Sequence, residues 1–348
     1  MFVASAAIKL KYMDFSVSPI AFAKPSVSFC HHQWGTTLPD RLAGCVVALG
    51  NFDGLHRGHQ AVLAKACALA QAIGRPAAFL TFEPHPRRFF RPDEPLFCLT
   101  PPDVKALIAQ CFGLDGMITL PFDQTLAQTA AQSFIEDLLI GGLGVGGLVI
   151  GHDFHFGKGR EGSPAMIETI GQRLGLPVAV VPAFTQGDAP VSSSLIREAL
   201  RRGDVQAAAQ MLGYQWFVRG VVRHGDKRGR ELGYPTANMH LAPDCGLRYG
   251  IYAVRMAVEG RIYNGVASFG SRPTFDDGAP RLETFLFDFE GDLYDRVVDV
   301  ELVGYVREEA KFSTVEALIA QMDQDSLKAR ALLAQPLASG VTRLLPLP

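Results

Sequence analysis

The sequence predicts a protein of α/β plus all-β class: a helix-covered parallel-sheet domain, then a small antiparallel β-barrel domain with a C-terminal helix. Three features predict it. From about 43 to 200, short apolar runs alternate with stretches of helical periodicity, the rhythm of a parallel sheet with crossover helices. Beyond about 214, short strand-like runs follow one another between glycine turns, with no helical stretch among them. One amphipathic stretch, 314–334, then closes the chain.

Taken in order, "GCVVALG" (44–50) is an apolar strand closed by glycine, and "HQAVLAKACALAQAIG" (59–74) is a helix that Gly74 ends. "RPAAFLTF" (75–82) is the next strand, "PDVKALIAQCFGLD" (102–115) a helix and "GMITLPF" (116–122) a strand. A helix over 129–141, a strand at "GLVIG" (147–151), a helix over 163–175 and a strand at "PVAVVPAF" (177–184) complete the first half. The strands of the second half are "WFVRGVVRHG", "GIYAVRMAVEG", "RIYNGVASFG", "LETFLFDFEG" and "RVVDVELVGYV". The boundary falls near Gly213, so the expected division is an N-terminal extension over 1–40 and domains over 41–212 and 213–340.

A chain of 348 residues has room for two domains, and 48% hydrophobic against 20% charged residues is an ordinary globular mixture. A net charge of −2 provides no broad grip on nucleic acid, so no nucleic-acid partner is expected. No apolar run is long enough to span a bilayer. The six cysteines form no C-x-x-C pair and read as free or buried thiols of a reducing, cytoplasmic setting. Near the N-terminus, Lys9 and Lys11 precede a loosely apolar stretch ending "AFAK". Asp14, Ser16, Ser18 and Pro19 interrupt that stretch, so it reads as an extension or an early start rather than a secretion signal. The doublet His31–His32 has no partner at ligand spacing and reads as a surface pair.

Chemistry concentrates first in "GNFDGLHRGH" (50–59), which lies between the first strand and the first helix. In an open parallel sheet, ligands bind beyond the carboxyl ends of strands, where helix N-termini offer unpaired N–H groups and partial positive charge. Gly50, Gly54 and Gly58 permit close backbone approach, and His56 and His59, about one turn apart, can address one phosphate. Two competing motifs fail. "GLGVGG" (142–147) spells G-x-G-x-x-G but follows a helix and precedes a strand, the reverse of a dinucleotide turn, and "FGKGR" lacks the hydroxyl of a P-loop.

The stretch 50–59 resembles the signature of HxGH nucleotidyltransferases, and in this variant it is similar to that of bifunctional riboflavin kinase/FAD synthetases. "TFEPHP" (81–86), "GHDFHFGKGREG" (151–162) and "VSSSLIREAL" (191–200) resemble further motifs of that family in the same order, with Ser194 in place of the usual threonine. The resemblance implies a Rossmann-like nucleotidyltransferase domain that binds ATP through Gly50, Asn51, Phe52, Asp53, Gly54, His56, His59, Ser192, Ser193, Ser194 and Arg197. It implies catalytic roles for His56, His59 and Arg197, and flavin contacts at Asp153, Phe154, Phe156 and Arg160. Independently of family, "SSSLIR" is a serine-rich helix start with an arginine one turn in, which is again an anion site.

"GDKRGRELGYPTAN" (225–238) is the second dense motif. Gly225, Gly229 and Gly233 with Lys227, Arg228 and Arg230 make a basic loop able to lie over phosphates. On a strand Thr236 and Asn238 share a face, so both can reach one Mg²⁺; alone, the stretch also reads as a basic turn beside an ordinary strand. The stretch resembles the flavokinase signature, and "GSRPTF" (270–275), "LETFLFDFEGDLYD" (282–295) and the closing 306–325 resemble its later parts. That implies nucleotide contacts at Gly225, Lys227, Gly229, Arg230 and Gly233, metal ligation by Thr236 and Asn238, flavin contact at Arg307 and Glu283 as general base. Three positions depart from the pattern: Phe285 for a histidine, Ser268 for an asparagine and Asp295 for a glycine.

The resemblance implies an enzyme that turns riboflavin and ATP into FMN, and FMN and a second ATP into FAD and pyrophosphate. Mg²⁺ would be the cofactor, flavins and ATP the small-molecule partners, and a homo-oligomer is compatible with the sequence. Two alternatives stand beside it. One keeps the fold with a single active module, kinase or adenylyltransferase. The other is a nucleic-acid-binding barrel carrying the basic loop of Arg223, Lys227, Arg228 and Arg230, which would need aromatics interleaved with basic residues on one face.

Overall fold

A computed structural model describes residues 29–186, 189–225, 229, 232–271 and 279–345. The chain divides into two compact units between Val191 and Ser192, with Phe97–Leu99 joining the second.

The first unit is built on six strands: β1 (Cys30–Gln33), β2 (Val46–Leu49), β3 (Ala77–Glu83), β4 (Gly116–Pro121), β5 (Gly147–Gly151) and β6 (Val178–Val181). Their order in the sheet is β1-β4-β3-β2-β5-β6, and every pair is parallel. All four residues of β2 are buried, because helices cover both faces of a central parallel strand. The chain steps outward from β2 through β3 to β4, then returns to β5 on the other side of β2. The switch point between β2 and β5 is where such sheets open a ligand crevice.

Helix α1 (Arg57–Ile73) packs over β2, β3 and β5 and ends at Gly74, whose φ of 64° allows the left-handed cap. Helices α2 (Pro102–Cys111) and α3 (Pro164–Leu174) follow the expected stretches. The helix expected over 129–141 is wound differently. After one turn at Ala131–Ser133 it continues as π-helix over Phe134–Gly142, and the wider turn brings Phe134, Ile135 and Leu139 into the core. Gly142–Gly147 is a helix-to-strand connection, as its order in the sequence required.

Residues 30–33, within the stretch read as an extension, are the edge strand β1, paired with β4 from Cys30↔Gly116 to Gln33↔Thr119. This corrects the reading of His31–His32 as a surface pair. Strand alternation turns His32 inward, where it is buried, while His31 stays exposed beside the Thr119 hydroxyl. A short hairpin, β7 (Thr185–Gln186) with β8 (Ala189–Pro190), ends the unit.

The second unit starts with helices α4 (Ser193–Arg201) and α5 (Val205–Leu212). Its sheet comprises β9 (Phe217–Val221), β10 (Thr236–His240), β11 (Gly250–Val258), β12 (Arg261–Gly270), β13 (Arg281–Leu286) and β14 (Val297–Arg307), all antiparallel in the order β10-β13-β12-β11-β14-β9. The two end strands approach through a bridge in which Arg223 N–H donates to Asn238 O at 2.8 Å, so the sheet is a nearly closed barrel. Helix α6 (Val315–Leu333) covers β11, β12 and β14, burying Ala329 and Leu333 against Ile251, Ala253 and Val303. Among the described residues no helix is long and apolar enough to cross a membrane, and all six cysteines are free thiols.

Candidate active sites

At the carboxyl end of β2 the chain turns through Phe52 (φ 50°), Gly54 (φ 84°) and Leu55 (φ 40°) into α1. The N-cap is His56, and the helix starts at Arg57, two residues before the start the sequence predicts. Its Nδ1 accepts from the His59 N–H at 3.3 Å, which puts the ring proton of neutral His56 on Nε2. The His56 and His59 rings stack with centroids 3.6 Å apart and planes 16° apart, and the Phe52 ring meets His59 edge-on at 5.3 Å. A Cβ on Gly58 would lie 3.1 Å from His56 Cε1, so glycine between the histidines is what lets the first ring lie flat. Burial, then neighbouring His56 and the Lys105 charge, hold His59 well below the ordinary imidazole pKa.

The turn is braced from beneath. Buried Asp53 accepts from Thr100 N–H at 3.0 Å and from its hydroxyl at 3.4 Å, and Gly54 N–H donates back to Thr100 Oγ1 at 2.8 Å. Lys105, on α2, donates to Asn51 O at 3.0 Å and to Thr81 Oγ1 at 3.3 Å. Neither Thr100 nor Lys105 was picked out from the sequence; the one available signal was a lysine on the apolar face of "PDVKALIAQC".

β5 lies beside β2, Ile150 opposite Leu49, so the loop after β5 leaves the sheet next to the glycine–histidine turn. In that loop Phe154 and Phe156 stack at 5.7 Å; Phe156 is buried against Phe134, whereas Asp153 and Arg160 are exposed. A further aromatic group follows β3 and β4: Phe89, Phe90 and Phe122 meet edge-to-face at 5.3–5.6 Å, and Phe90 is 64% exposed. The sequence signal for it is "RRFF" directly after "TFEPHP".

Ser192, Ser193, Ser194 and Arg197 belong to the second unit. Ser192 caps α4 by accepting from Leu195 N–H at 3.3 Å, with Ser193 and Ser194 in the first turn. Arg197 is buried and its Nε donates to Phe97 O at 2.6 Å.

In the barrel, Asn238 of β10 pairs with Glu283 of β13, and Glu283 with Ser268 of β12. Glu283 lies 3.6 Å from the Arg281 guanidinium, and both line a cleft with Ser268, Gly270, Ser271 and Glu309. Burial, then the Glu283 charge, raise the Glu309 pKa. The Asn238 amide N donates to Thr236 O at 3.2 Å, which leaves its oxygen directed elsewhere. A Cβ on Gly225 would lie 2.5 Å from Asn238 Nδ2, and one on Gly229 would lie 3.7 Å from Thr236 Oγ1, so these two glycines lie close to the residues expected to ligate the metal. Gly233 adopts a φ of 81°. Lys227 and Arg230 lie outside the described residues.

Phe285, where the motif has histidine, packs on Tyr234 at 4.7 Å and Phe287 at 5.9 Å, while the Tyr234 hydroxyl donates to Asp323. Arg307 is forked onto buried Asp325 of α6 at 2.6–3.0 Å, and its remaining nitrogen donates to Glu308 O at 2.6 Å. Among the described residues no three His, Cys, Asp or Glu side chains gather as a metal site. Thr236 and Asn238 supply oxygen donors on one strand face, a set that suits a hard cation bound mainly through phosphates and water.

Comparison with known proteins matches residues 38–195 to a family model described as FAD synthetase and residues 212–333 to one described as riboflavin kinase. A Pseudomonas fluorescens protein described as a bifunctional riboflavin kinase/FMN adenylyltransferase is 40% identical over 297 residues, covering 84% of this chain and 94% of the relative. Proteins of the same description from Escherichia coli K12 (37% identical, 82% and 92% covered) and Bacillus subtilis 168 (36%, 84% and 93%) are similar over the same extent. A crystal structure from Streptococcus pneumoniae, described as a macrolide-efflux protein, superposes with a TM-score of 0.77 at 29% identity, covering 87% of this chain and 99% of that one.

Proposed function

The chain belongs to the family of bifunctional riboflavin kinase/FMN adenylyltransferases, and from that premise we propose how its two units share the chemistry. The protein phosphorylates riboflavin to FMN and adenylylates FMN to FAD, using ATP in both reactions. The kinase is assigned to residues 213–340 and adenylyl transfer to residues 41–212.

The observation that carries the reading is the stacked His56–His59 pair at the N-terminus of α1, on the switch point of the parallel sheet. A phosphate oxygen of FMN attacks the α-phosphorus of ATP, and the bond to the β-phosphate breaks to release pyrophosphate. The nucleophile is already an anion, so no strong base is needed. Catalysis rests on positioning and on donors facing the charge that builds on the leaving group. His56, with its ring proton on Nε2, and His59 serve as such donors alongside the helix N-terminus. Gly50, Asn51, Phe52, Asp53 and Gly54 form the turn that receives the nucleotide, with Asp53 acting as its internal brace. Ser192, Ser193, Ser194 and Arg197 are assigned to the triphosphate from their motif, with the capped start of α4 in support. The exposed ring of Phe90 and the half-buried ring of Phe154 suit the flat flavin ring, Phe156 supporting Phe154, with Asp153 and Arg160 at the rim.

In the barrel, the riboflavin 5′-hydroxyl must lose a proton as it attacks the γ-phosphorus of ATP. Glu283 accepts that proton, and the bond to the β-phosphate breaks to give FMN and ADP. Thr236 and Asn238 would hold Mg²⁺, which when bound neutralises charge on the phosphates. Gly225, Gly229 and Gly233, with Lys227 and Arg230, form the loop over the nucleotide. The fork to Asp325 makes Arg307 a strut between β14 and α6 that shapes the flavin side of the cleft. The free thiols accord with a cytoplasmic setting. Incubating the chain with riboflavin, ATP and Mg²⁺ and separating the flavins by chromatography tests the whole assignment. FMN should form first and FAD after it, and omission of Mg²⁺ should halt the first step. Accumulation of FMN alone would reduce the protein to a kinase.

A further inference from the structure

Lys105 lies in none of the motifs that mark the adenylyl-transfer turn, yet it is only 4% exposed. Lysines are almost never buried so completely unless the charge is paired or hydrogen-bonded, so its partners matter. The ammonium spans the carboxyl ends of two neighbouring strands, meeting the Asn51 carbonyl at 3.0 Å just after β2 and the Thr81 hydroxyl at 3.3 Å on β3. Thr81 donates to the same Asn51 carbonyl at 3.0 Å, so the three groups close a triangle beneath the turn. The next residue, Phe52, holds a left-handed φ of 50° and presses its ring edge against His59.

We infer that Lys105 is a positioning residue for adenylyl transfer: it clamps the Asn51–Phe52 turn so that Phe52 keeps His59 in register, and it sets a positive charge under the turn assigned to the phosphates. The inference rests on assigning adenylyl transfer to this unit. Both effects serve a reaction that expels a pyrophosphate. A turn held by a buried cation need not reorganise as charge builds, and a cation in a low-dielectric setting acts more strongly than one in water. The charged and titratable groups acting on His59 are His56 from its own helix and Lys105 from α2, while Phe52 contributes only a ring edge. Because the Lys105 charge adds to burial and to His56 in disfavouring the imidazolium, its removal lets His59 take up a proton at higher pH.

The test uses Lys105→Met in the full chain. The kcat for FAD formation from supplied FMN and ATP is expected to fall by about tenfold or more, with riboflavin phosphorylation kept within about twofold. In proton NMR the His59 resonance is expected to titrate at higher pH than in the wild-type chain. Thr81→Val, a milder change that retains the ammonium, covers the case in which the methionine variant fails to fold. It is expected to lower kcat about threefold or more and to leave the His59 titration in place. FAD formation within about twofold of wild type in either variant would overturn the inference. So would a slowed Lys105→Met enzyme with an unmoved His59 titration, because packing alone would then explain the loss. A wild-type chain that makes no FAD would instead sink the reaction assignment.

Discussion

Asn238 and Glu283 stand directly opposite each other in the β10–β13 pair, so one strand carries the proposed oxygen ligand and its neighbour the carboxylate proposed as base. Facing residues of an antiparallel pair have Cβ atoms about 4.5–5.5 Å apart, so a cation held by Asn238 would lie near the proposed proton acceptor. Glu283→Gln preserves shape and removes the base. Riboflavin phosphorylation is expected to drop about 10²–10⁴-fold, with FAD formation from supplied FMN unchanged. Measuring the two reactions separately checks it, and an unimpaired kinase would remove Glu283 from the mechanism.

Gly225 is a second probe of the same site, because a side chain there would reach Asn238. An alanine methyl there would overlap the Asn238 amide, at 2.5 Å from Nδ2, and something must shift. Gly225→Ala is therefore expected to raise the Mg²⁺ concentration needed for half-maximal kinase rate by about threefold or more while adenylyl transfer is spared. A titration of kinase rate against Mg²⁺ decides it; a variant with the wild-type requirement would mean that Asn238 does not hold the cation.

His56 is the N-cap of α1 and the proposed donor to the leaving group, and the two separate by assay. As N-cap of α1 its loss costs about 1 kcal/mol of stability, a modest fall in thermal midpoint. As a donor toward the leaving pyrophosphate its loss is expected to slow FAD formation by about 10²-fold or more, far beyond what a cap explains. His56→Asn restores a capping side chain without the imidazole. It should regain the midpoint and stay inactive in adenylyl transfer while making FMN normally. Recovery of FAD synthesis in that variant would reduce His56 to a cap.

The elements legible in the sequence are those whose signal is local. "VVAL", an apolar run closed by glycine directly before a helical stretch, reads as a parallel strand, and Gly74 marked the end of α1 because an αL cap favours glycine. "CHHQ" of β1 carried no such signal: four residues with two histidines become a strand only through pairing with β4, more than eighty residues onward. The site divides in the same way. The glycine–histidine turn and "PTAN" declared themselves by dense, unusual composition. Lys105 and Thr100 did not, since their roles exist only through contacts 54 and 46 residues away. Arg307 was legible as a motif position, but its fork to Asp325 depends on where α6 docks.

The barrel also contains a charge pair with a pH consequence. Arg255 and Glu301, on paired strands β11 and β14, are almost wholly buried and 3.9 Å apart. Burial raises the Glu301 pKa from 4.5 to about 7 against the opposing charges of Arg255 and Arg343. The folded chain therefore retains a proton that the unfolded chain releases. Its stabilising effect is complete below about pH 4.5 and disappears as pH rises to about 7, a difference on the order of 3 kcal/mol at most. Glu301→Gln keeps the neutral form at every pH. Relative to wild type, its thermal midpoint should be similar at pH 4.5 and higher at pH 8, by an amount on the order of several degrees. Melting curves at the two pH values test this, and parallel profiles for the two proteins would show that Glu301 is ionised in the fold throughout, held by the two arginines despite its burial.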